Sequence, residues 1–476
     1  MDPQFLSGIE NHTYYVCVFD SLTHFGRDLQ VVPGLATSWK ALNDTTWEFK
    51  LRQGVVFHNG EEFDAETVKF SIERVKDPQF KSAFAGTIVQ VSGLEVKDKY
   101  TIHIITSSPD PLLLKRLADS GIYIVPRKYI EANGHEIMKT KPIGTGPYKF
   151  VKWVKDEVLE LEIAFPDHYR KPKAKRILTK GIPQEATRVA ALQTGAADIV
   201  WDVSADLIKK VEETSGLKIK TAGSVSVPHI QISQYGEGPL RDKRVRQALN
   251  YAVDRESIVK NLFLGYYKTV PSPLVPMCFG YDDALKPYPY DPKKAKELLA
   301  AAGYPSGFEL IFTVPASAYP KTEEYVQAIA NYLAEVGVKA KLKFDPTKSF
   351  DAFSRELRTT EGGPEGIFHV TPGCTPNIDA DDILWRYYYT WDAKLGSGNR
   401  LYFSNQELDR LIQAARSTLD QEQRKKLYAQ ALRIVQEEAY AIFLWEMPYH
   451  YGFNSQKLKD IYPRTYNLNP WDVEPA

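Results

Sequence analysis

VVPGLATSWKALNDTTWEFKLRQGVVFHNGEEFDAETVKFSIERV, residues 31–75, is the most informative stretch of this chain. Within it Trp47, Phe49 and Leu51 alternate with Glu48, Lys50 and Arg52, the period of a strand with one buried and one solvated face. The period then changes. Val68, Ile72 and Val75 recur at helical spacing, and Asp64 stands where a carboxylate accepts from the unpaired N–H groups of a first turn. A strand, a glycine-bearing turn and a capped helix in one run predict an α/β chain.

The alternation extends outward from that stretch. Ile102 and Ile104 interleave with Thr101 and His103, and Val158 to Ile163 alternates apolar positions with glutamates, so both are expected strands. The second half is more helical. Asp242 precedes Val245, Leu249, Ala252 and Val253, and Asp254 precedes a further helix that Gly265 closes. Asp291-Pro292 opens another, with Gly303 just past its end. Leu408, Leu411, Ile412 and Ala415 form one apolar stripe, and Leu427, Tyr428, Ala431, Leu432 and Val435 a second, both core-facing.

The 476 residues exceed what one hydrophobic core holds, about 250–300 residues, so two or three domains are expected. Hydrophobic residues at 43% indicate an ordered globular chain. Lys+Arg and Asp+Glu each number 60, leaving no basic excess for a phosphate backbone and excluding nucleic acid as a partner. The longest apolar runs, such as Ala439 to Trp445, are strand-sized and do not span a bilayer. Cys17, Cys278 and Cys374 are too few and too scattered for a disulfide scaffold or a metal site. No repeat and no low-complexity linker is present, so domains are joined through ordered strands, which make natural hinges.

Catalytic signatures are absent: there is no GxSxG elbow, no HExxH and no GxxxxGKS/T loop. In Gly-Thr-Gly-Pro-Tyr at 144–148 the proline interrupts any row of phosphate-binding N–H groups, and the stretch reads as a tight turn. Asp379, Asp381 and Asp382 form an acidic group of the kind that starts helices. They lie in TPGCTPNIDADDILWRYYYTWD, residues 371–392, where Asn377, Trp385, Tyr389 and Trp391 supply the aromatic and polar groups of a ligand wall. The competing reading of that segment is a capped helix whose tyrosines enter the core.

The 31–75 stretch, PIGTGPYKF at 142–150, EATRVAALQTGAADIV at 185–200 and LRDKRVRQALNYAVDRESIV at 240–259 together resemble the family 5 solute-binding proteins of bacterial ABC importers. That group includes dipeptide-, oligopeptide-, nickel- and glutathione-binding proteins, and the similarity runs over residues 2–460. It implies a two-lobed periplasmic-binding-protein fold of the large type II cluster, with a third subdomain inserted in the first lobe. The first lobe would comprise 1–31, 165–233 and 450–476, the insert 32–164, and the second lobe 234–449. The crossings would fall near HIQIS at 229–233 and FLWEM at 443–447. The implied function is capture of an oligopeptide-like solute between the lobes and its delivery to membrane permease subunits, by a monomer without cofactor, metal or catalytic activity. The resemblance further implies a periplasmic or extracellular location. Asp2-Pro3 matches a family turn that follows a signal peptide and a first strand, so both are expected ahead of the present start.

Peptide-binding members of the family hold the ligand's amino group with an aspartate. Aligned on Asp379-Ala380-Asp381, that position is Pro376, which favours an opine, oligosaccharide or metal chelate as the alternative cargo unless Asp379 or Glu446 substitutes. The expected cleft residues are Asn377, Asp379, Trp385, Tyr389 and Trp391 from the second lobe, Trp445 and Glu446 from the hinge, and His12 and Tyr14 from the N-terminal segment. Gln231 and Tyr235 flank the first crossing, and Trp201 follows a strand end. The rival class is a hydrolase working through two cleft carboxylates.

Overall fold

The computed structural model describes residues 2–5, 9–118, 121–315, 319–345, 366–371, 373, 377–391, 401–465 and 467–476, with the backbone alone at 9–13 and 345. The opening stretch folds as its pattern requires. Thr46–Leu51 is an inner strand of a four-stranded antiparallel sheet with Ala36–Asn43, Thr101–Thr106 and Val91–Asp98. The helix Ala65–Lys76 starts on Asp64, whose carboxylate accepts from the Thr67 N–H at 2.9 Å. Glu66 in its first turn and Arg74 and Lys76 in its last complement the helix dipole. Val68, Ile72 and Val75 are all buried against Phe49, Ile102 and Ile104 of the sheet.

Two further sheets organise the rest. One is antiparallel, in the order Ile199–Val200, Tyr449–Asn454, Leu217–Ala222. The other is five-stranded, in the order Val338–Asp345, Phe308–Pro315, Ile367–Val370, His229–Ile232, Ala441–Phe443. The first three of these strands run parallel, and His229–Ile232 and its two neighbours pair antiparallel. Helices cover both faces of the five-stranded sheet. Lys243–Tyr251, Arg255–Leu262, Pro292–Ala301 and Thr322–Glu335 pack on the face of Ile230 and Ile232, while Ala380–Tyr387, Gln406–Ser417 and Gln421–Glu437 pack on the opposite one. Asp242, Asp254 and Asp291 each cap the helix expected of them. Gly265 and Gly303 adopt positive φ just beyond helix ends.

The chain passes from the three-stranded to the five-stranded sheet over 223–228 and returns over 444–448. The first crossing thus precedes HIQIS, because His229–Ile232 is hydrogen-bonded on both sides inside the five-stranded sheet. The expected boundary at 164/165 also cuts a sheet: Arg176–Lys180 pairs along Val158–Ile163, which pairs with Tyr148–Val154. Cys278 is disulfide-bonded, a link the scattered spacing did not suggest, and Cys17 is buried.

Candidate functional site

A cavity of about 250 Å³ opens beside the outgoing crossing, at Val225. One wall is the hairpin of Thr23–Phe25 and Val31–Pro33, through His24, Phe25, Val32 and Pro33. A second is Tyr169 with Arg170, and a third the C-terminal residues Arg464, Thr465, Asn467, Asn469 and Trp471. Val225, on the outgoing crossing, and Ile378 close it from the side of the five-stranded sheet. Arg170 and Arg464 are its cationic residues, His24 adds an imidazole, and among the described residues no carboxylate lines it.

The carboxylates sit behind those cations. Asp20, fully buried, accepts from Thr145 Oγ1 at 2.7 Å and Tyr169 OH at 2.6 Å. It also meets Arg170 Nη2 at 2.8 Å and His168 Nε2 at 3.2 Å. Burial alone would raise its pKa, but Arg170 and His168 outweigh burial and hold it well below the usual carboxylate range. The Gly-Thr-Gly-Pro-Tyr turn exists to make this contact. A Cβ on Gly144 would lie 2.0 Å from the Val18 carbonyl oxygen, and one on Gly146 2.5 Å from that of Cys17. Only glycines let the turn press against the end of the helix Ile9–Val18 and bring Thr145 onto Asp20. Asp472, also buried, pairs with Arg464 at 2.9 Å and Arg27 at 2.8 Å. Arg170 lies 4.9 Å from the centre of the Trp471 ring, which places an indole beside a guanidinium at the cavity wall.

Across the cavity, Asp379 caps the helix Ala380–Tyr387 and accepts from the Asp381 N–H at 3.1 Å. The fully buried Arg424 grips it with a fork at 2.6 and 3.1 Å, and Lys115 Nζ reaches it at 2.9 Å from the helix Leu113–Arg116. Burial works against ionisation of Asp379, yet Lys115 and Arg424 together lower its pKa. Asp381 lies 3.7 Å from Arg116 and 3.5 Å from Arg416. Asn377 Nδ2 donates to both oxygens of Asp382, at 3.2 and 3.1 Å. Burial raises the Asp382 pKa to about 7.

The sequence-predicted residues divide unevenly around this geometry. None of those with described side chains lines the cavity, although Ile378, between Asn377 and Asp379, does. Asn377 and Asp379 are spent on internal pairing, the capped-helix reading of the segment. Trp385 and Tyr389 stack on each other at 4.4 Å, with Arg416 over Trp385 at 3.7 Å, and Tyr389 is buried. Trp445, expected in the cleft, is fully buried against Phe263 and Tyr325. Gln231 lies buried in the inner strand His229–Ile232. Glu446 is half-buried, its pKa raised by burial against the opposing pull of Lys268. Tyr235 packs edge-on to Tyr402, Tyr14 against Tyr15, and Trp201 over Tyr449. Trp391 is 52% exposed. The His12 side chain, Pro376 and Cys374 lie outside the described residues. The missed lining residues had one local signal, the His168-Tyr169-Arg170 triplet directly after a strand and turn.

Two α/β units with a cavity at their junction define a two-lobed binding protein. The family model described as "Bacterial extracellular solute-binding proteins, family 5 Middle" matches residues 30–364. Heme-binding protein A of Haemophilus influenzae is 30% identical over 450 residues, covering 89% of this chain and 80% of that protein. Among solved structures, NikZ of Campylobacter jejuni in complex with Ni(L-His) superposes with a TM-score of 0.82 at 27% identity, covering 99% of this chain and 96% of that one. DppA of Helicobacter pylori in complex with peptide STSA gives 0.81 at 25% identity, covering 100% and 95%. The chain belongs to the bacterial extracellular solute-binding proteins of family 5. It is the substrate-binding component of an ABC transporter, of a family that binds solutes and works with membrane permeases. Among the described residues no helix is long and apolar enough to cross a membrane.

Proposed function

We propose that the cavity beside the outgoing crossing is the solute site and that it receives a carboxylate of an oligopeptide-like or other acidic solute. The observation that carries this is the sign of its lining: His24, Arg170 and Arg464 face the space while Asp20 and Asp472 stand behind them. The heme, L-histidine and peptide named for the similar proteins all carry carboxylates, which supports the same chemistry here. The proposed lobes meet at 223–228 and 444–448, with the 31–180 region as an extension of the first lobe. Solute would favour the closed arrangement by touching both lobes. Of the sequence-predicted residues, Trp201, Tyr235 and Trp391 are proposed as outer contacts. A hydrolytic role is disfavoured because Asp379 and Asp381 are held in ion pairs. The protein is proposed to act outside the cytoplasm as a monomer without nucleic acid, and the disulfide at Cys278 suits an oxidising compartment.

The test is mass spectrometry of copurifying small molecules, followed by tryptophan-fluorescence titration with the tetrapeptide STSA and its C-terminal amide. The acid is expected to bind about tenfold more tightly than the amide. Equal binding, or a copurifying solute without an acidic group, would remove the carboxylate assignment.

A further inference from the structure

Asp379 stands beside the cavity, next in sequence to the lining residue Ile378, and its carboxylate is already full. Arg424 and the Asp381 N–H serve it from its own side of the cleft. The remaining partner, Lys115, comes from the other side. The helix that carries Lys115 is tied to the cavity wall, since Thr23 Oγ1 donates to the Leu114 carbonyl at 2.7 Å and the strand Thr23–Phe25 forms that wall. The Lys115 ammonium also lies 4.8 Å from the centre of the Phe279 ring on the Asp379 side. Locally, Lys115, Arg116, Arg416 and Arg424 face Asp110, Asp379 and Asp381, so each of these three carboxylates already has a cationic partner. A further ammonium brought in by a solute would find none of them unpaired.

We propose that Lys115 is a specificity-determining residue, an ammonium built into one lobe that fills the Asp379 carboxylate of the other. Lys115 therefore removes the advantage a solute's ammonium would have at Asp379, and an ammonium-bearing solute must displace Lys115 to reach that carboxylate. The same contact biases the empty protein toward closure, because it exists only when the lobes meet. This inference rests on the reading of the neighbouring cavity as the solute site.

The experiment uses the full chain, its Lys115→Met and Lys115→Arg variants, and STSA beside N-acetyl-STSA, two probes that share the carboxylate and differ in the ammonium. Affinities are read by tryptophan fluorescence, and closure of the solute-free protein by small-angle X-ray scattering. In the wild type the two peptides are expected to bind within about threefold of each other. In Lys115→Met, STSA is expected to gain about tenfold over its acetylated form, and Lys115→Arg to behave as wild type. The solute-free Lys115→Met protein is expected to be more open than wild type. An unchanged peptide ratio in Lys115→Met, including no binding of STSA, would overturn the inference. So would a tenfold wild-type preference for the free amine. Circular dichroism checks that the variants fold. If the wild type responds to neither peptide and to no acidic solute, the reading of the cavity falls instead, and the scattering comparison still judges the Lys115 contact.

Discussion

Asp20 and Asp379 are both fully buried, both lie at the margin of the cavity and both carry lowered pKa values, yet they obtain their counterions differently. Asp20 takes Arg170, Thr145, Tyr169 and His168 from segments on its own side of the cleft. Asp379 takes Arg424 from its own side and Lys115 from across. Desolvation of a carboxylate costs several kcal/mol, so each needs its partners. For Asp20 the partners are present in every arrangement of the lobes; for Asp379 one of them depends on closure. Asp20 is therefore structural, and Asp379 senses the state of the cleft.

The largest effect expected from this contrast is on folding. Asp20→Asn leaves Arg170 buried without its carboxylate and should cost about 3–5 kcal/mol in urea unfolding. A loss below about 1 kcal/mol would mean that Arg170 finds another partner, and the contrast with Asp379 would collapse. The deficit should shrink when an acidic solute is bound, because Arg170 lines the cavity and then gains the solute's carboxylate in place of Asp20.

A second effect is a pH dependence of stability, to which His58 and His450, their pKa values lowered by burial to about 4, also contribute from the other side. The Asp20 side stays charged, whereas His229 and His369, on adjacent strands of the five-stranded sheet, are buried and held neutral. Burial lowers each pKa from 6.5 to about 3. The unfolded chain takes up protons near pH 6.5 while the folded chain refuses them until far lower, so stability is full above that pH and lost as pH falls. At pH 5 the two together should cost about 2–4 kcal/mol relative to pH 7.5, and His229→Gln should remove about half of that change. Thermal unfolding across that range measures it; an unchanged slope in the variant would place the proton uptake elsewhere.

Asp382 gives a smaller effect of opposite sign. Its folded pKa stands near 7 against 3.8, so the folded chain keeps a proton the unfolded chain has released. Its contribution is present below about pH 4 and lost as pH rises toward 7. Asp382→Asn should therefore stabilise the protein by about 1–2 kcal/mol at pH 7.5 and do nothing at pH 4. Asn377 can turn its unpartnered Oδ1 toward the new amide, which keeps the exchange nearly isosteric.

How far these features were legible in the sequence follows from their range. Asp64, Asp242 and Asp291 act within a few residues, and the stripes of Gln406–Ser417 and Gln421–Glu437 repeat along single helices, so pattern alone finds them. The Asp20 group joins residues 20, 145, 168, 169 and 170, and the cavity adds 464–471; no periodicity links such positions. At 371–392 dense aromatics fit a ligand wall and a capped helix alike, and the described residues form the capped helix with part of the aromatics in the core. Alternation along a two-residue strand leaves the facing of Trp445 undetermined until the neighbouring helices are placed.

The smallest expected effect tests whether any charge pair between the lobes suffices to sense closure. Lys321, at the start of the helix Thr322–Glu335, meets Asp206 of the helix Ala205–Glu212 at 2.7 Å, a second contact between the two sides. Asp206 is 51% exposed against the full burial of Asp379, and water screens it in either arrangement. Lys321 also donates to the Leu262 carbonyl at 2.8 Å, so loss of the carboxylate leaves it a partner. Asp206→Asn should change stability by under about 0.5 kcal/mol and leave the scattering profile of the solute-free protein as it is. If it opens the protein as far as Lys115→Met does, closure depends on the number of ion pairs between the lobes rather than on burial, and Asp379 loses its distinction from the surface.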